Sequence, residues 1–479
     1  MKSPIKRFIS RPTPLAACLT AVLALTSPAA ATAATTWTVT SCSETTSGSS
    51  TSGTLRYVLA NAASGDTVDM TSLACSNITL KTGALRIDQS DLTLNGPGKS
   101  NLVISGKYNF VAEPDRIIDH EGTGILVIKD MSLAFGNPSS ASLNVYGGCI
   151  YSKGSVVLNN ADVYLCQATV SGLHTAAGGG VFIKGSLLMK YSEVAGNYAK
   201  GGSNSLSIGG GAKVDASLIS KYSGVFGNSA ITSGSSGFGG GVSVGGSVTM
   251  KSSTISSNSA NRNAGVDIFS GAPASNSVSI SNSTISGNDA SVVVGGLYSN
   301  APSVLLRNST IAFNTAGTGR LGASFPFSYY APGMATRASS VSISVNMQSS
   351  LLSNNTYGND NEDDFSKVDV GASTVTFNAA SANNFIRASF ATLPAGTLRF
   401  SCPLLGPLRD NGGLNETHAL LSHSPAIDVG NNTVTALGFD ERGSPFARVD
   451  HGTADIGAYE VQQLDVVFNT SFEGCPLLF

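Results

Sequence analysis

From Ser155 to Asn355 the chain repeats one arrangement of apolar and polar positions. The segments SLLMKYSEVAGNYA from Ser186, SLISKYSGVFGNSA from Ser217, SVTMKSSTISSNSA from Ser247, SVSISNSTISGNDA from Ser277 and SVLLRNSTIAFNTA from Ser303 align without gaps. Each runs from Ser through alternating apolar positions (Leu187 and Met189, Val248 and Met250) to an aliphatic residue and an Asn. A divergent copy from Ser155 places Cys166 where the Asn would stand, and another from Ser344 ends at Asn355. Asn197, Asn228, Asn258, Asn288, Asn314 and Asn355 are thus spaced by 31, 30, 30, 26 and 41 residues. A Gly cluster and a short alternating strand precede each copy: GGCIY at Gly147, GGGVFI at Gly178, GGGAKV at Gly209, GGGVSV at Gly239 and GGLY at Gly295.

Period-two alternation broken by Gly and Asn predicts short strands joined by sharp corners. A unit of this length with two or three such strands is one coil of a parallel β-helix. The expected fold is therefore all-β: a right-handed parallel β-helix (a pectin-lyase-like solenoid) of about twelve coils, ~60 Å long at ~4.8 Å per coil. The Asn residues are expected to take the left-handed backbone of a corner and to bond to one another up and down the stack. Before the repeats, Leu55, Val58, Leu59 and Ala62 form the stripe of a short helical amino-terminal cap, followed by a strand over Thr67–Met70. An irregular carboxy-terminal cap is expected from Cys402.

Composition adds two constraints. Only 12% of the 479 residues are charged, with Lys+Arg 28 against Asp+Glu 30, so no basic tract offers a footprint for nucleic acid. In a solenoid, a charge repeated each coil would face its like one coil away, which disfavours charged rows. At the amino end, Lys2, Lys6, Arg7 and Arg11 precede the apolar run Leu15–Thr26 and the small-x-small pattern Ala31-Thr32-Ala33. This reads as a secretory signal over residues 1–33, cleaved after Ala33, with no transmembrane segment. Six cysteines remain: Cys42, Cys75, Cys149, Cys166, Cys402 and Cys475. Among the fifteen connectivities that six cysteines allow, the neighbour set Cys42–Cys75, Cys149–Cys166 and Cys402–Cys475 is the expected one.

The pairing of GGGVFI with VAGN and of GGGVSV with ISSN resembles the repeats of chlamydial-type polymorphic outer-membrane proteins. TLRYVLANA at Thr54 followed by Gly65-Asp66-Thr67 is similar to the amino-terminal region of secreted right-handed β-helix proteins. LGPLRDNGG at Leu405, THALL at Thr417, SPAIDVGN at Ser424, DERGSP at Asp440 and ADIGAYE at Ala454 resemble the choice-of-anchor Q region of such proteins. The final DVVFNTSFEGCPLLF is similar to the short tails of exported Gram-negative proteins, though Gly474-Cys475-Pro476 extends past the usual end. These resemblances imply an exported surface or extracellular protein. They divide it into residues 34–146 (cap and first coils), 147–400 (repeats), 401–464 (carboxy-terminal cap) and 465–479 (tail).

Candidate chemistry is sparse. A polysaccharide hydrolase of this fold needs paired carboxylates, and the motifs of the polygalacturonase-like family are missing. Asp360, Glu362, Asp363 and Asp364 form the densest acidic run and are a candidate calcium site, beside the reading of a solvated loop. Tyr191 and Tyr222 share one repeat position, with Tyr198 near a corner, and are candidates for stacking on sugar rings or for a stiffening ladder. His418, His423, Asp428, Asp440, Arg442, His451, Asp455 and Glu460 make the carboxy-terminal region the most titratable part of the chain, expected to bond its turns. The favoured function is non-enzymatic, a solenoid face for adhesion or contact with a polysaccharide or cell-surface glycan. A lyase or glycoside hydrolase with an unfamiliar site is the alternative.

Overall fold

The computed structural model describes residues 33–106, 115–269, 275–317, 331–358, 360–434 and 438–462. The chain from Thr35 onward is one compact unit. Among the described residues its strands fall into three long sheets of 23, 13 and 10 strands, paired almost throughout in parallel. About ten coils stack to form the β-helix. That is fewer than the twelve expected: the third sheet stacks ten strands, one per coil.

One coil shows how the repeat folds. Leu187–Lys190 and Glu193–Ala195 lie in the largest sheet, Tyr198–Gly201 and Leu206–Ile208 in the second, and Ala212–Val214 in the third. Leu187 pairs with Leu218 in the next coil, Leu218 with Val248, Val248 with Val278 and Val278 with Val304. Alternation turns these residues inward, so like stacks on like in one continuous apolar core. Burial of each such aliphatic side chain contributes roughly 1.5–3 kcal/mol.

The Asn residues form an inner ladder. Asn197 donates its amide Nδ2 to Asn228 Oδ1 (2.9 Å), and the pattern continues through Asn258, Asn288, Asn314 and Asn355. Each Nδ2 also donates to a carbonyl of the preceding coil, as Asn258 does to Val225 at 3.0 Å. Each Oδ1 accepts a backbone N–H as well, so these buried amides are satisfied. The ladder ends on the Asp364 carboxylate at one side (2.7 Å) and on the Cys166 backbone N–H at the other.

The expected left-handed Asn backbone is corrected. Positive φ belongs to the residue before each: Gly196, Gly227, Ser257, Gly287, Phe313 and Asn354. The corner needs the unusual dihedral one position earlier so that the amide points into the stack. The Gly clusters have two separate jobs. Gly178 turns the chain at φ +67, whereas Gly180 lies where a Cβ would come 3.0 Å from the Asn197 amide. The same crowding recurs between Gly211 and Asn228 and between Gly241 and Asn258. The Gly-Gly and x-x-N elements therefore accompany one another because they touch within a coil.

The short helix Leu55–Asn61 buries Leu55, Val58 and Leu59 as its stripe predicts. Disulfides join Cys42 to Cys75 and Cys149 to Cys166. The third expected pair involves Cys475, which lies outside the described residues, as do the signal segment up to Thr32 and the tail. Among the described residues no helix is long and apolar enough to cross a membrane, which says nothing of a β-barrel.

The carboxy-terminal region lies along the flank of the stack. Its hairpin Leu405–Arg409 and Thr417–Leu420 and the turns beyond it pack on Ala312, Leu351 and Phe385. Polar bonds fix it there: His418 with Ser286 Oγ (2.7 Å), Glu441 with Thr254 Oγ1 (2.9 Å) and the Ala458 N–H with Thr310 Oγ1 (3.0 Å).

Candidate functional site in an uncovered groove

Register brings one outward position of every coil into a single row. Ser132, Asp162, Glu193, Gly224, Thr254, Thr284, Thr310 and Leu351 follow one another in it. Pairing of Val163 with Val194 sets Asp162 and Glu193 in adjacent coils, about 4.8 Å apart along the stack. The carboxy-terminal region covers the row from Thr254 onward and leaves Glu193 and Gly224 beside a groove. Two adjoining cavities of about 290 and 320 Å³ share Glu193, Gly224, Leu414 and Asn415 in their lining. The first also reaches Lys99, Asn160, Tyr191, Ser192 and Tyr222, and the second Phe226, Ser256, Glu416 and Thr254, the first covered residue of the row, which closes the groove at that end.

Local backbone explains the rim. Tyr191 and Tyr222 occupy left-handed corners at φ +53 and +51. This directs consecutive copies of one residue outward, and their rings stack at 5.4 Å with 17° between planes. Tyr198 belongs to the second sheet, pairs with Gln167 and Ser229 and does not line either cavity. The tyrosines singled out from sequence are therefore divided between two faces.

The groove floor is acidic and partly dry. Asp162 accepts from Lys99 Nζ (3.2 Å) and from the Glu193 backbone N–H (2.9 Å). Burial raises its carboxyl above the ordinary range despite Lys99. Glu193 is raised as well, first by burial and then by the charge of Asp162. Gly224 keeps the space beside it open: a Cβ there would stand 3.7 Å from Glu193 Cγ and 3.3 Å from the Phe226 ring. Two carboxylates of unequal partnership, one held by Lys99 and one facing the opening, suit hydrogen bonding to hydroxyls or proton exchange.

Asp162, Glu193 and Lys99 did not emerge from the search for paired acids by motif. The signal lay in the aligned copies, where S-E-V, S-G-V and S-T-I put Glu, Gly and Thr at one position. The expectation that charged rows are disfavoured also meets an exception: Lys190 pairs in register with Lys221, and Lys221 with Lys251.

The acidic run at residues 360–364 serves the fold. Asp364 terminates the Asn ladder and accepts the Ala388 N–H (2.8 Å), and Glu362 pairs with Arg387. Asp363 is buried, which pushes its carboxyl up to about 7, while Asp360 is exposed. Among the described residues no group of three or more His, Cys, Asp or Glu is placed to hold a metal ion. Of the candidate calcium residues, Asp364 is thus engaged as a ladder terminus and Glu362 in a buried ion pair.

The titratable residues of the carboxy-terminal region bond one another. Arg442 pairs with Asp440 (2.8 Å) between the rings of Phe446 and Tyr459, and Arg448 pairs with Glu460 (2.7 Å). His418 is buried, and desolvation lowers it to about 4. Ser424 donates to the Pro403 carbonyl (2.5 Å), so it forms no triad with His423 and Asp428. No protein-family model matches the chain, and no curated protein or solved structure matches it either.

Proposed function

We propose that this protein is an exported surface or extracellular β-helix that holds a glycan chain in the groove beside Tyr191, Tyr222 and Glu193. The observation that carries the reading is the stacked tyrosine pair on the rim of a cavity whose other wall is Leu414 and Asn415. Ring faces and edges contact the apolar side of a sugar, while Asn160, Glu193 and Asn415 supply hydrogen-bonding groups for its hydroxyls. The secretory-type amino terminus, the cysteine pairs and the choice-of-anchor Q resemblance support export and surface retention. The test is affinity electrophoresis of the mature chain in gels containing neutral or acidic polysaccharides. Retardation by at least one polymer, lost in Tyr191→Ala/Tyr222→Ala, is expected; unchanged migration in every polymer contradicts the reading.

The alternative, a glycoside hydrolase, is favoured by one specific observation, the Asp162 and Glu193 pair. Glu193, with its raised carboxyl, would donate a proton to the glycosidic oxygen. Asp162, one coil spacing of about 4.8 Å away and held by Lys99, would bond the anomeric carbon as the glycosidic C–O bond breaks, and water deprotonated by Glu193 would then displace the Asp162 carboxylate. Release of reducing ends by the wild type, abolished in Glu193→Gln while retardation persists, supports hydrolysis; release unaffected by that substitution removes this pair from the reaction.

A further inference from the structure

The strand ends next to the tyrosine pair carry a row of cations. Lys190, Lys221 and Lys251 are in register in three consecutive coils, each immediately before a corner residue, Tyr191, Tyr222 or Ser252. Lys190 and Lys221 are exposed and Lys251 is half-buried. The Lys190 ammonium lies 5.1 Å from the centre of the Tyr191 ring. Five other lysines are neutralised, Lys99 by Asp162, Lys129 by Asp130, Lys153 by Glu121, Lys213 by Asp215 and Lys367 by Asp369, whereas Lys81, Lys184 and Lys200 stand singly without an ion pair among the described residues. Among the described residues no ion pair includes Lys190, Lys221 or Lys251.

Solenoid geometry does not demand lysine at this position. The coil before has Asn159 in the row and the coil after has Ser281. Stacking like charges about 4.8 Å apart is unfavourable in the free protein. A ligand bearing spaced negative charges along the same axis relieves that repulsion and gains three charge-assisted contacts.

We infer that the lysine row is a binding site for an acidic polysaccharide, whose carboxylate or sulfate groups meet Lys190, Lys221 and Lys251 as the chain runs along the stack past the tyrosine pair. This rests on the glycan reading and specifies its ligand as anionic. Nucleic acid fits less well, since its phosphates recur every ~3.4 Å along a strand. The two rings also face one another, leaving no slot for a base between them.

The experiment compares the mature wild type with Lys190→Gln/Lys221→Gln/Lys251→Gln, using polygalacturonate as the acidic probe, dextran as the neutral one and single-stranded DNA as the rival. Thermal unfolding verifies that the triple variant folds. The wild type is expected to bind polygalacturonate with an affinity that falls as salt rises, and the triple variant to bind at least about tenfold more weakly with little salt dependence. Equal polygalacturonate binding by both proteins overturns the inference. Wild-type binding to dextran but not polygalacturonate also overturns it while leaving the glycan reading in place, and binding to neither probe overturns both. Tighter binding to DNA, dependent on the lysines, overturns the polysaccharide assignment.

Discussion

Two stretches of one row of repeat positions have different fates. At Thr254, Thr284 and Thr310 the outward side chains are bonded by the carboxy-terminal region, through Glu441, Glu416 and Ala458. At Glu193 and Gly224, earlier in the same row, the cover stops at Leu414 and Asn415 and a groove remains. The threonines repeat where the cover bonds them, Thr254 and Thr284 donating to Glu441 and Thr310 accepting the Ala458 N–H. Departure from the repeat, by contrast, coincides with solvent access and with titratable chemistry. In this molecule repetition marks what is packed, and its interruption marks what is available to a ligand.

Parallel substitutions of two carboxyl groups test that division most strongly. Glu441→Ala should destabilise the protein by about 3 kcal/mol, since it strands the Thr284 hydroxyl and N–H in a buried site and leaves the Thr254 hydroxyl with the Glu416 carbonyl alone. Glu193→Ala should change stability by less than about 0.5 kcal/mol, because its carboxylate faces the groove. Denaturant unfolding of both measures the contrast, and equal losses would erase it.

A pH effect of similar size should come from the covered side. His418 is held neutral, lowered from 6.5 to about 4, so the unfolded chain binds its proton first as the solution is acidified. Its contribution is whole above pH 6.5 and is lost as pH falls to about 4, at a cost on the order of 3 kcal/mol. Glu441 has the opposite sign: burial raises its carboxyl well above 4.5, so its contribution is whole below that value and diminishes as pH rises. Relative to His418→Gln, the wild type should therefore lose stability on acidification, as measured by denaturant titration of both proteins across pH 4–7.

Gly224→Thr makes the open stretch resemble the covered one. A Cβ there would press on the Phe226 ring at 3.3 Å, and a small shift of that exposed ring accommodates it, so folding should be preserved while glycan binding falls about tenfold, or ~1.4 kcal/mol. Undiminished binding would place the ligand elsewhere. A modest effect on thermal stability is expected from Tyr191→Ala/Tyr222→Ala, about 1 kcal/mol for one stacked pair at the surface. A much larger loss would identify the pair as part of the scaffold.

Much of the fold is legible in the sequence because a solenoid writes its geometry once per coil. The alternation at Leu187 and Met189, the Asn series and the paired Gly elements each recur at the spacing of a single coil. The corner dihedral was displaced by one residue because Asn is the conspicuous member of the motif, although Gly196 or Ser257 takes the strain. The groove was less legible. Its carboxylates occur in only two copies, and its outer wall comes from Leu414 and Asn415, far downstream and without periodicity. The acidic run at 360–364 showed the converse difficulty: a dense cluster of ligand-type side chains terminates a ladder, and only tertiary structure distinguishes Asp364 from a calcium ligand.

Hydroxyl-radical footprinting with and without polygalacturonate reads out the groove residue by residue. Oxidation of Tyr191, Tyr222 and Leu414 should fall on adding the polymer, while Tyr198, equally exposed but on another sheet, should be unchanged. Protection of Tyr198 with the pair still oxidised, or no protection at any of the four, would contradict the binding of an acidic polysaccharide in the uncovered stretch of the row.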